Sequence, residues 1–460
     1  MLTQAVGAAI EWVVAALAGR AAPESIPARL APRLTVRGDL AAFFAANQRF
    51  AAFREHGAEI VNVEPRGPWA ARASVRTGPQ LWELDIAVEQ DPPHRIRSFQ
   101  PRPVTADGFD WELLAPGLRE HDRVESELPG PLSGRIHQRL LSAVDAGCAV
   151  GLAAALSVDG HVVHREYLGV SDLRDRRPLD RESVFQVGSV TKTVTALAVL
   201  RLVEQRVVDL DAPVRAYLPA GPILIPAAPG DPEPTVAQLL LHRAGLTKTI
   251  GRQRPRDGDR LSAAVPQLPL AWAPGERPEY SNIGFQLLGE LVRTVSGESF
   301  ADFGTREVLE PFGLSRAGLA GPDGSTRAPA TVTGHRVAAG RVEPAPAPAP
   351  QFPGSGGMTA TAQDLVTLAG HFTDATDPLI RTALALTTPA GGAVRFAPGI
   401  ALLDRAHGTA LWRGGATSGF TAEVLAALDG SATVVLLASK SPPDGVKALA
   451  AELADELLRR

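Results

Sequence analysis

Hydrophobic and polar positions in the first hundred residues change from helical to strand-like spacing. Apolar residues recur at helical intervals over 2–17 and again over 39–53. Polar and apolar residues then alternate in three segments, 59–63, 69–75 and 81–88. Helices followed by antiparallel strands predict a small α+β domain, which we place at residues 1–125.

The order of these N-terminal elements is similar to that of the cystatin-like or nuclear-transport-factor-like (NTF2-like) cone folds. In those folds a curved sheet wraps around a long helix. The resemblance is one of pattern and implies no particular role. Capping of an active site, dimerisation and ligand binding all stay open.

A second, larger domain is predicted at residues 131–460, after a polar, proline-containing stretch near residue 130. It begins with a helix and two strands, at 136–146, 150–157 and 162–168. Two more strands and an amphipathic helix lie at the far end of the chain, at 421–427, 432–438 and 444–458. We therefore expect both ends of this domain to share one mixed sheet flanked by helices.

Composition and charge exclude several classes of protein. Of the 460 residues, 45% are hydrophobic and 21% are charged, which is enough apolar material to bury a large core. The formal net charge is −4, so the chain lacks the basic surface that a phosphate backbone requires. We therefore expect a small-molecule partner and no nucleic acid.

A single cysteine and the N-terminal segment bear on the cellular compartment. Cys148 has no second cysteine with which to form an internal disulfide, and its apolar neighbours predict buried packing. Residues 5–17 are largely apolar, but no Lys or Arg precedes them and Glu11 interrupts them. This pattern predicts an amphipathic helix rather than a secretory signal or a membrane span, and hence a cytoplasmic protein.

The first candidate motif is Ser189-Val190-Thr191-Lys192, followed by a helix-forming run. A spacing of three on a helix places the serine hydroxyl and the lysine amine on one face. The hydroxyl needs a base, and a lysine can serve where burial or a neighbouring cation lowers its pKa, whereas an arginine cannot. Lysine is scarce here, at four of 46 basic residues. The alternative is an ordinary helix N-cap with a solvated lysine.

Two further motifs follow along the chain. Tyr280-Ser281-Asn282 precedes a predicted helix, and a phenol near a cationic amine can act as a base or proton shuttle. The alternative is a tyrosine packed at a loop–helix junction. The segment Arg413-Gly414-Gly415-Ala416 lies just before a predicted strand. Its glycines would allow close approach of a substrate, and the following amide could donate to an oxyanion.

The histidines give no sign of a metal site. His242 lies in a predicted helix-end segment and has no partner at metal-ligand spacing. His161 and His164 stand at the start of a predicted strand, and we expect both to be surface groups. We assign none of the three a catalytic role, and we expect neither a metal nor an organic cofactor.

In this order, the three motifs resemble those of the serine β-lactamase and penicillin-binding-protein superfamily, specifically its class C, esterase and D-aminopeptidase branch. Three accessory segments agree, at 208–214, 235–246 and 356–365. The resemblance runs from about residue 133 to 457. It implies a mixed α/β, β-lactamase/transpeptidase-like domain, with an antiparallel sheet flanked by helices and an all-helical region.

The resemblance also implies catalysis through an acyl-enzyme. Ser189 would be the nucleophile, Lys192 and Tyr280 would handle its proton, and the Ser189 and Ala416 backbone amides would form the oxyanion hole. Substrate binding would fall to four residues, Asn282, Arg413, Gly414 and Gly415.

Arg413 departs from the family pattern, in which lysine or histidine is usual at this position. Lysine there commonly accompanies recognition of β-lactam or peptide carboxylates, and histidine accompanies esterases. Arginine could clamp a carboxylate with two hydrogen bonds while lowering the pKa of Tyr280, or it could reflect the general use of arginine in this chain. In either case we do not expect efficient β-lactamase activity.

Three functions stay open. The first is hydrolysis of a small ester or amide, with carboxylesterase activity favoured over β-lactam or peptide cleavage. The second is acyl transfer or cyclisation in a biosynthetic pathway through the same acyl-enzyme. The third is a binding protein without catalysis. The sequence also leaves the oligomeric state open, and a homodimer is compatible with it.

Overall fold

A computed structural model describes most of the chain, namely residues 3–20, 26–30, 51–78, 80–104, 122–145, 147–247, 265–321, 325–338, 341–345, 353–374, 376–405, 408–441 and 445–459. The chain divides into two compact units. The first is Met1–Asp110 with Val337–Val342, and the second is Trp111–Arg336 with Glu343–Arg460. The domain boundary near residue 130 stays a prediction, because residues 105–121 lie outside the described part of the chain.

The first unit contains helices and an antiparallel sheet. Its helices are α1 (Gln4–Leu17), α2 (Ile26–Arg29) and α3 (Ala51–Glu55). Its strands are β1 (Glu59–Gly67), β2 (Ala70–Thr77), β3 (Gln80–Val88) and β4 (Ile96–Val104), which pair in sequence order. Most of the helix predicted at 39–53 lies outside the described residues, and the likeness to a cone fold stays a prediction.

The core of this unit follows from two sequence periods. Buried residues recur along α1 every three or four positions, at Val6, Ile10, Val13 and Leu17. Along β2 they alternate, at Ala71, Ala73 and Val75. The apolar face of the helix and one face of the sheet therefore contribute to one hydrophobic cluster.

The remaining elements run from residue 123 to the C-terminal helix. The strands are β5 (Arg123–Ser126), β6 (Gly151–Val158), β7 (His161–Gly169), β8 (Phe185–Gly188), β9 (Ile223–Ile225), β10 (Gln267–Pro269), β11 (Gly318–Leu319), β12 (His335–Ala338), β13 (Arg341–Pro344), β14 (Met358–Ala360), β15 (Thr388–Gly391), β16 (Val394–Ala397), β17 (Ile400–Arg405), β18 (Gly408–Thr417), β19 (Phe420–Ala427), β20 (Thr433–Ala438) and β21 (Lys440–Ser441). The helices are α4 (Gly130–Asp145), α5 (Thr191–Glu204), α6 (Val236–Leu240), α7 (Asn282–Ser296), α8 (Phe300–Gly304), α9 (Pro353–Gly356), α10 (Ala362–His371), α11 (Pro378–Ala385) and α12 (Val446–Leu458).

One long antiparallel sheet organises the second unit, in the order β15-β16-β17-β18-β19-β20-β6-β7-β5. Strand β20, near the end of the chain, pairs with β6, near the start of the unit, so that Val434 lies opposite Leu156. The prediction that both ends of this domain share one sheet is therefore confirmed. The mixed α/β fold class is confirmed as well.

Strand β6 shows why helices cover both faces of this sheet. All of its residues are buried, and Ala153 and Ala155 belong to one hydrophobic cluster whereas Leu152, Ala154 and Leu156 belong to another. Helices α4 and α12 supply apolar residues to the second cluster, and α5, α7 and α10 supply them to the first. A strand that is apolar on both faces requires such a layer on each side.

Helix α5 is the central element of the helical region. From Thr191 to Leu202 it is buried at all but one position, since Arg201 alone in that stretch is partly exposed. Across the described residues, every helix falls short of the length and apolar character that a membrane crossing requires.

Candidate active site

Ser189 lies in the turn between β8 and α5. The preceding Gly188 has a φ of +50°, and an added Cβ there would lie 2.8 Å from the Ala416 nitrogen, so the turn requires glycine. Thr191 fastens the turn, because its hydroxyl donates to the Gly188 carbonyl at 2.6 Å and accepts from the Met358 amide at 2.9 Å. The N-cap position of α5 is Val190, so the Ser189 hydroxyl does not cap the helix.

Lys192 is fully buried beneath Ser189. Its Nζ donates to Ser189 Oγ at 3.1 Å and to the Ser355 carbonyl at 2.7 Å. The second bond comes from α9, which packs against α5. A solvated lysine, the alternative that the sequence left open, is therefore wrong.

Tyr280 is the second side chain in contact with the serine hydroxyl. Its phenol oxygen lies 2.8 Å from Ser189 Oγ, and Lys192 Nζ lies 5.1 Å from the centre of its ring. Burial alone would raise the pKa of Tyr280, but the charges of Arg413 and Lys192 and hydrogen bonds with Lys192 and Ser189 outweigh it. The pKa is thereby lowered from 10.0 to about 7.

Arg413 extends from β18 towards the same atoms. Its Nε donates to the Ser189 carbonyl at 2.7 Å, and its Nη2 donates to the Tyr280 phenol oxygen at 2.9 Å. The residue is only 7% exposed. The structure thus brings Ser189, Lys192, Tyr280 and Arg413 together from three separate parts of the chain.

Strand β18 lies directly against the Ser189 turn. An added Cβ on Gly415 would lie 2.0 Å from the Val187 carbonyl oxygen and 3.1 Å from the Ser189 nitrogen. Pairing of β17 with β18 ends at Trp412, whereas pairing with β19 continues to Thr417. Within the described part of the chain, no strand therefore pairs with that edge of β18 beyond Trp412, which includes Ala416. The oxyanion role of the Ser189 and Ala416 amides stays a prediction.

The remaining two predicted site residues, Gly414 and Asn282, lie close in sequence to the residues that contact Ser189. Gly414 alternates to the opposite face of β18, where an added Cβ would lie 2.9 Å from a carboxylate oxygen of Glu423. Asn282 is the first residue of α7 and is half-buried, next to Ser281, whose hydroxyl caps this helix. The substrate-binding roles of both residues stay predictions.

His242 is a member of this site that the sequence analysis did not assign. Its Nδ1 accepts the Ser281 amide at 3.1 Å, and its ring centre lies 4.6 Å from that of Tyr280. The available signal was its place at the end of a helical segment in an accessory motif. That position gave no indication of which loop the side chain would contact.

His164 corrects a second expectation. The sequence predicts a surface group, but His164 is fully buried and lies between Ser126 Oγ at 3.0 Å and Glu166 Oε2 at 3.1 Å. Helix α4 packs against β7, with His137 Nδ1 2.7 Å from Glu166 Oε1, and Ser126 of β5 lies opposite His164. His161 is exposed and Cys148 is buried, as expected. Among the described residues, no group of three or more His, Cys, Asp or Glu side chains could hold a metal ion.

Comparison with known proteins identifies the family of this chain. The β-lactamase family model matches residues 137–459, and the chain therefore belongs to the β-lactamase family. This result confirms the resemblance found in the sequence.

Three individual proteins illustrate the similarity. Esterase EstB of Burkholderia gladioli is 31% identical over 187 residues, which cover 37% of this chain and 47% of that protein. The chain thus spans about half the length of this curated relative. An octameric penicillin-binding protein homologue from Pyrococcus abyssi superposes with a TM-score of 0.61 at 23% identity, covering 72% and 77% of the two chains. The hydrolase EstCE1 superposes with a TM-score of 0.61 at 22% sequence identity, and the match covers 71% of this chain and 98% of that chain.

Proposed function

We propose that this protein is a serine hydrolase that acts through an acyl-enzyme on small esters or amides, with Ser189 as the nucleophile. The observation that carries the proposal is the contact of one hydroxyl with a phenol, which can accept its proton, and with a lysine amine. Ser189 Oγ lies 2.8 Å from the Tyr280 phenol oxygen and 3.1 Å from Lys192 Nζ. A serine is a useful nucleophile where such a partner can accept its proton.

The reaction can be written in balanced steps. Ser189 Oγ attacks the carbonyl carbon while the Tyr280 phenolate takes its proton, and the Ser189 and Ala416 amides stabilise the oxyanion. Collapse of the tetrahedral intermediate breaks the bond to the alcohol or amine, which leaves with the proton held by Tyr280. Water then attacks the acyl-enzyme in the same manner and releases the acid. Lys192 supplies a positive charge next to both oxygens.

Arg413 supports an uncharged acyl donor over one with a free carboxylate. Two of its three nitrogens already donate to protein oxygens, at the Ser189 carbonyl and the Tyr280 phenol, and the residue is 7% exposed. A guanidinium held in this way is poorly placed to clamp a carboxylate through two parallel hydrogen bonds. The relative EstB is named as an esterase, which agrees with this preference.

Acyl transfer is the alternative outcome of the same chemistry. An alcohol or amine in place of water would release the acyl group as a new ester or amide. EstCE1, which shares the fold, is described as a hydrolase with promiscuous acyltransferase activity. Product analysis with and without an alcohol acceptor distinguishes the two reactions. Cytoplasmic location and a homodimer also stay predictions.

The nucleophile is tested by intact mass after exposure to a fluorophosphonate. We expect one adduct on the native chain, none on Ser189→Ala, and one on Ser299→Ala, which removes a hydroxyl that caps α8. The absence of any adduct on the native chain would contradict the proposal and favour a binding protein without catalysis.

The substrate class is tested with a pair of aryl esters that differ by one free carboxylate on the acyl group. We expect a higher kcat/KM for the uncharged ester. The opposite result would be a preference for the ester with the carboxylate, abolished in Arg413→Gln. It would show that Arg413 binds the substrate and would overturn this part of the proposal.

A further inference from the structure

The loop that carries Tyr280 is held in place by one short segment, residues 242–247. Backbone hydrogen bonds join the two in a regular series: Glu279 N to His242 O at 2.8 Å, Gly275 N to Arg243 O at 2.8 Å, and Ala271 N to Gly245 O at 2.7 Å. The Ser281 hydroxyl adds a bond to the Thr247 carbonyl at 2.9 Å. This segment therefore sets the path of the chain up to and beyond Tyr280.

The His242 side chain makes the contacts closest to the phenol. Its Nδ1 accepts the Ser281 amide, and its ring packs against the Tyr280 ring at 4.6 Å between centres. The rings of Phe285 and Phe396 lie 5.0 Å and 5.2 Å from it. The backbone of His242 has a φ of +57°, a conformation that most side chains disfavour. The imidazole is thus confined among three aromatic rings.

The imidazole is held in its neutral form. Burial, and then the positive charges of Arg413 and Lys192, keep the pKa of His242 well below 6.5. Since Nδ1 accepts a hydrogen bond, the single ring proton belongs on Nε2. Nδ1 therefore stays an acceptor over the pH range in which Tyr280 titrates, and no charge appears beside the phenolate from this side.

We propose that His242 is a positioning residue, whose ring and Nδ1 atom hold the Tyr280 phenol in contact with Ser189 Oγ. This inference rests on the proposed function and deepens it. Ser281 directly follows Tyr280, so anchoring its amide fixes the direction in which the phenol leaves the backbone. Proton transfer requires the oxygens to stay at hydrogen-bond distance, here 2.8 Å, and small displacements slow such steps strongly.

The ring and the acceptor can be separated by two variants. His242→Phe keeps an aromatic ring but leaves the Ser281 amide without its partner. His242→Asn loses the ring but keeps an acceptor near the Nδ1 position, and asparagine tolerates a positive φ. We expect the first to lower the single-turnover acylation rate with an aryl ester by about 100-fold, with little change in KM. We expect the second to stay within about fivefold of the native rate. This loss is smaller than the loss expected when Tyr280 is misplaced.

The pH profile provides a readout that a purely structural role would not affect. The acid limb of acylation should lie near pH 7, because the charged groups around the phenol, Lys192 and Arg413, lower the pKa of Tyr280 to about 7. His242→Asn has no imidazole to titrate, so the limb should remain there. Disappearance of the limb in His242→Asn would assign it to the histidine and overturn the proposal.

Failure of this inference can be told apart from failure of the proposed function. A native chain without any adduct contradicts the function itself. Native-like acylation by His242→Phe contradicts only the positioning role. If His242→Phe does not fold, His242→Gln, whose acceptor lies one bond further out, takes its place, and the same slow acylation is expected. A rate for His242→Asn as low as that for Tyr280→Phe would also contradict the inference.

Discussion

The positive charge of Arg413, whose Nη2 lies 2.9 Å from the Tyr280 phenol oxygen, helps to lower the pKa of that phenol. Burial by itself raises the pKa of Tyr280 and favours the protonated phenol, which cannot act as a base. With the guanidinium and Lys192 beside it, the phenol ionises at about 7. In the proposed reaction the phenolate accepts the serine proton, so acylation should accelerate as the pH rises through this value.

Removal of the positive charge at position 413 should raise the pKa of Tyr280. For Arg413→Gln we expect the acid limb of acylation to move upward, with about fivefold less phenolate at pH 7 for the first unit of change and about tenfold less for each further unit. The near-ultraviolet absorbance of phenolate, taken as a difference from Tyr280→Phe, measures this pKa directly. Arg413→Lys keeps the charge and serves as the matched control. An unchanged titration in Arg413→Gln would show that the guanidinium does not set the pKa.

Single residues were predictable where the chemistry demands one residue type. A base for Ser189 could be a lysine but not an arginine, and Lys192 stands out in a chain that uses arginine elsewhere. His242 and His164 were not predictable in this way. An imidazole can be a surface group, a ligand or a buried acceptor, and the partner that decides between these is distant in sequence or in another strand.

At the scale of elements, the approach of β18 to the turn after β8 defines the site. Gly415 permits this approach, since an added Cβ would lie 2.0 Å from the Val187 carbonyl, a backbone atom that cannot rotate away. Among the described residues, no strand pairs with this edge of β18 beyond Trp412, next to Ser189. The candidate site thus depends on one strand edge as much as on its side chains.

We expect Gly415→Ala to displace β18 and slow acylation by about 100-fold, because the misplaced strand disturbs both Arg413 and the Ala416 amide. The matched control is Gly370→Ala in α10, where an added Cβ meets nothing within 4 Å. That change should leave acylation unaltered and stabilise the helix by about 0.5–1 kcal/mol. Acylation rates and thermal unfolding of both variants give the comparison. Native acylation in Gly415→Ala would show that the strand can shift without loss.

The type of each element was predictable from the spacing of its apolar residues, but the element that packs or pairs with it was not. The strands at 59–63, 150–157 and 432–438 follow from alternation or short apolar runs. The edge position of β5, which places Ser126 opposite His164, had no such signal, because Arg123–Ser126 is exposed at every residue. A short polar strand is recognisable only once its pairing partner is known.

At the scale of the whole molecule, two buried histidines link folding to pH. Burial lowers the pKa of both His242 and His335 from 6.5. Each therefore binds a proton less readily in the folded chain than in the unfolded chain, where the imidazole is protonated below about pH 6.5. Protons then favour the unfolded state, so stability is complete above this pH and decreases as the pH falls below it.

We therefore expect the free energy of unfolding to fall between pH 6.5 and 5, by at most about 1.4 kcal/mol per pH unit for each histidine. Urea unfolding at several pH values measures the slope. His335→Asn and His242→Asn should each make this slope shallower, and the double variant should reduce it further. A slope that is the same in all four proteins would exclude these two groups as its source.

The sequence alone determined the family and the fold class, and it predicted the nucleophile with its two partners, because these depend on residue types at short, ordered spacings. Lys192 had to follow Ser189 by three residues, and an apolar strand had to be covered on both faces. The tertiary structure decided what Arg413 does and that His242 belongs to the site. Both depend on which distant backbone and side-chain atoms meet, at the Ser189 carbonyl, the Tyr280 phenol and the Ser281 amide. Local periodicity carries no information on contacts of that range.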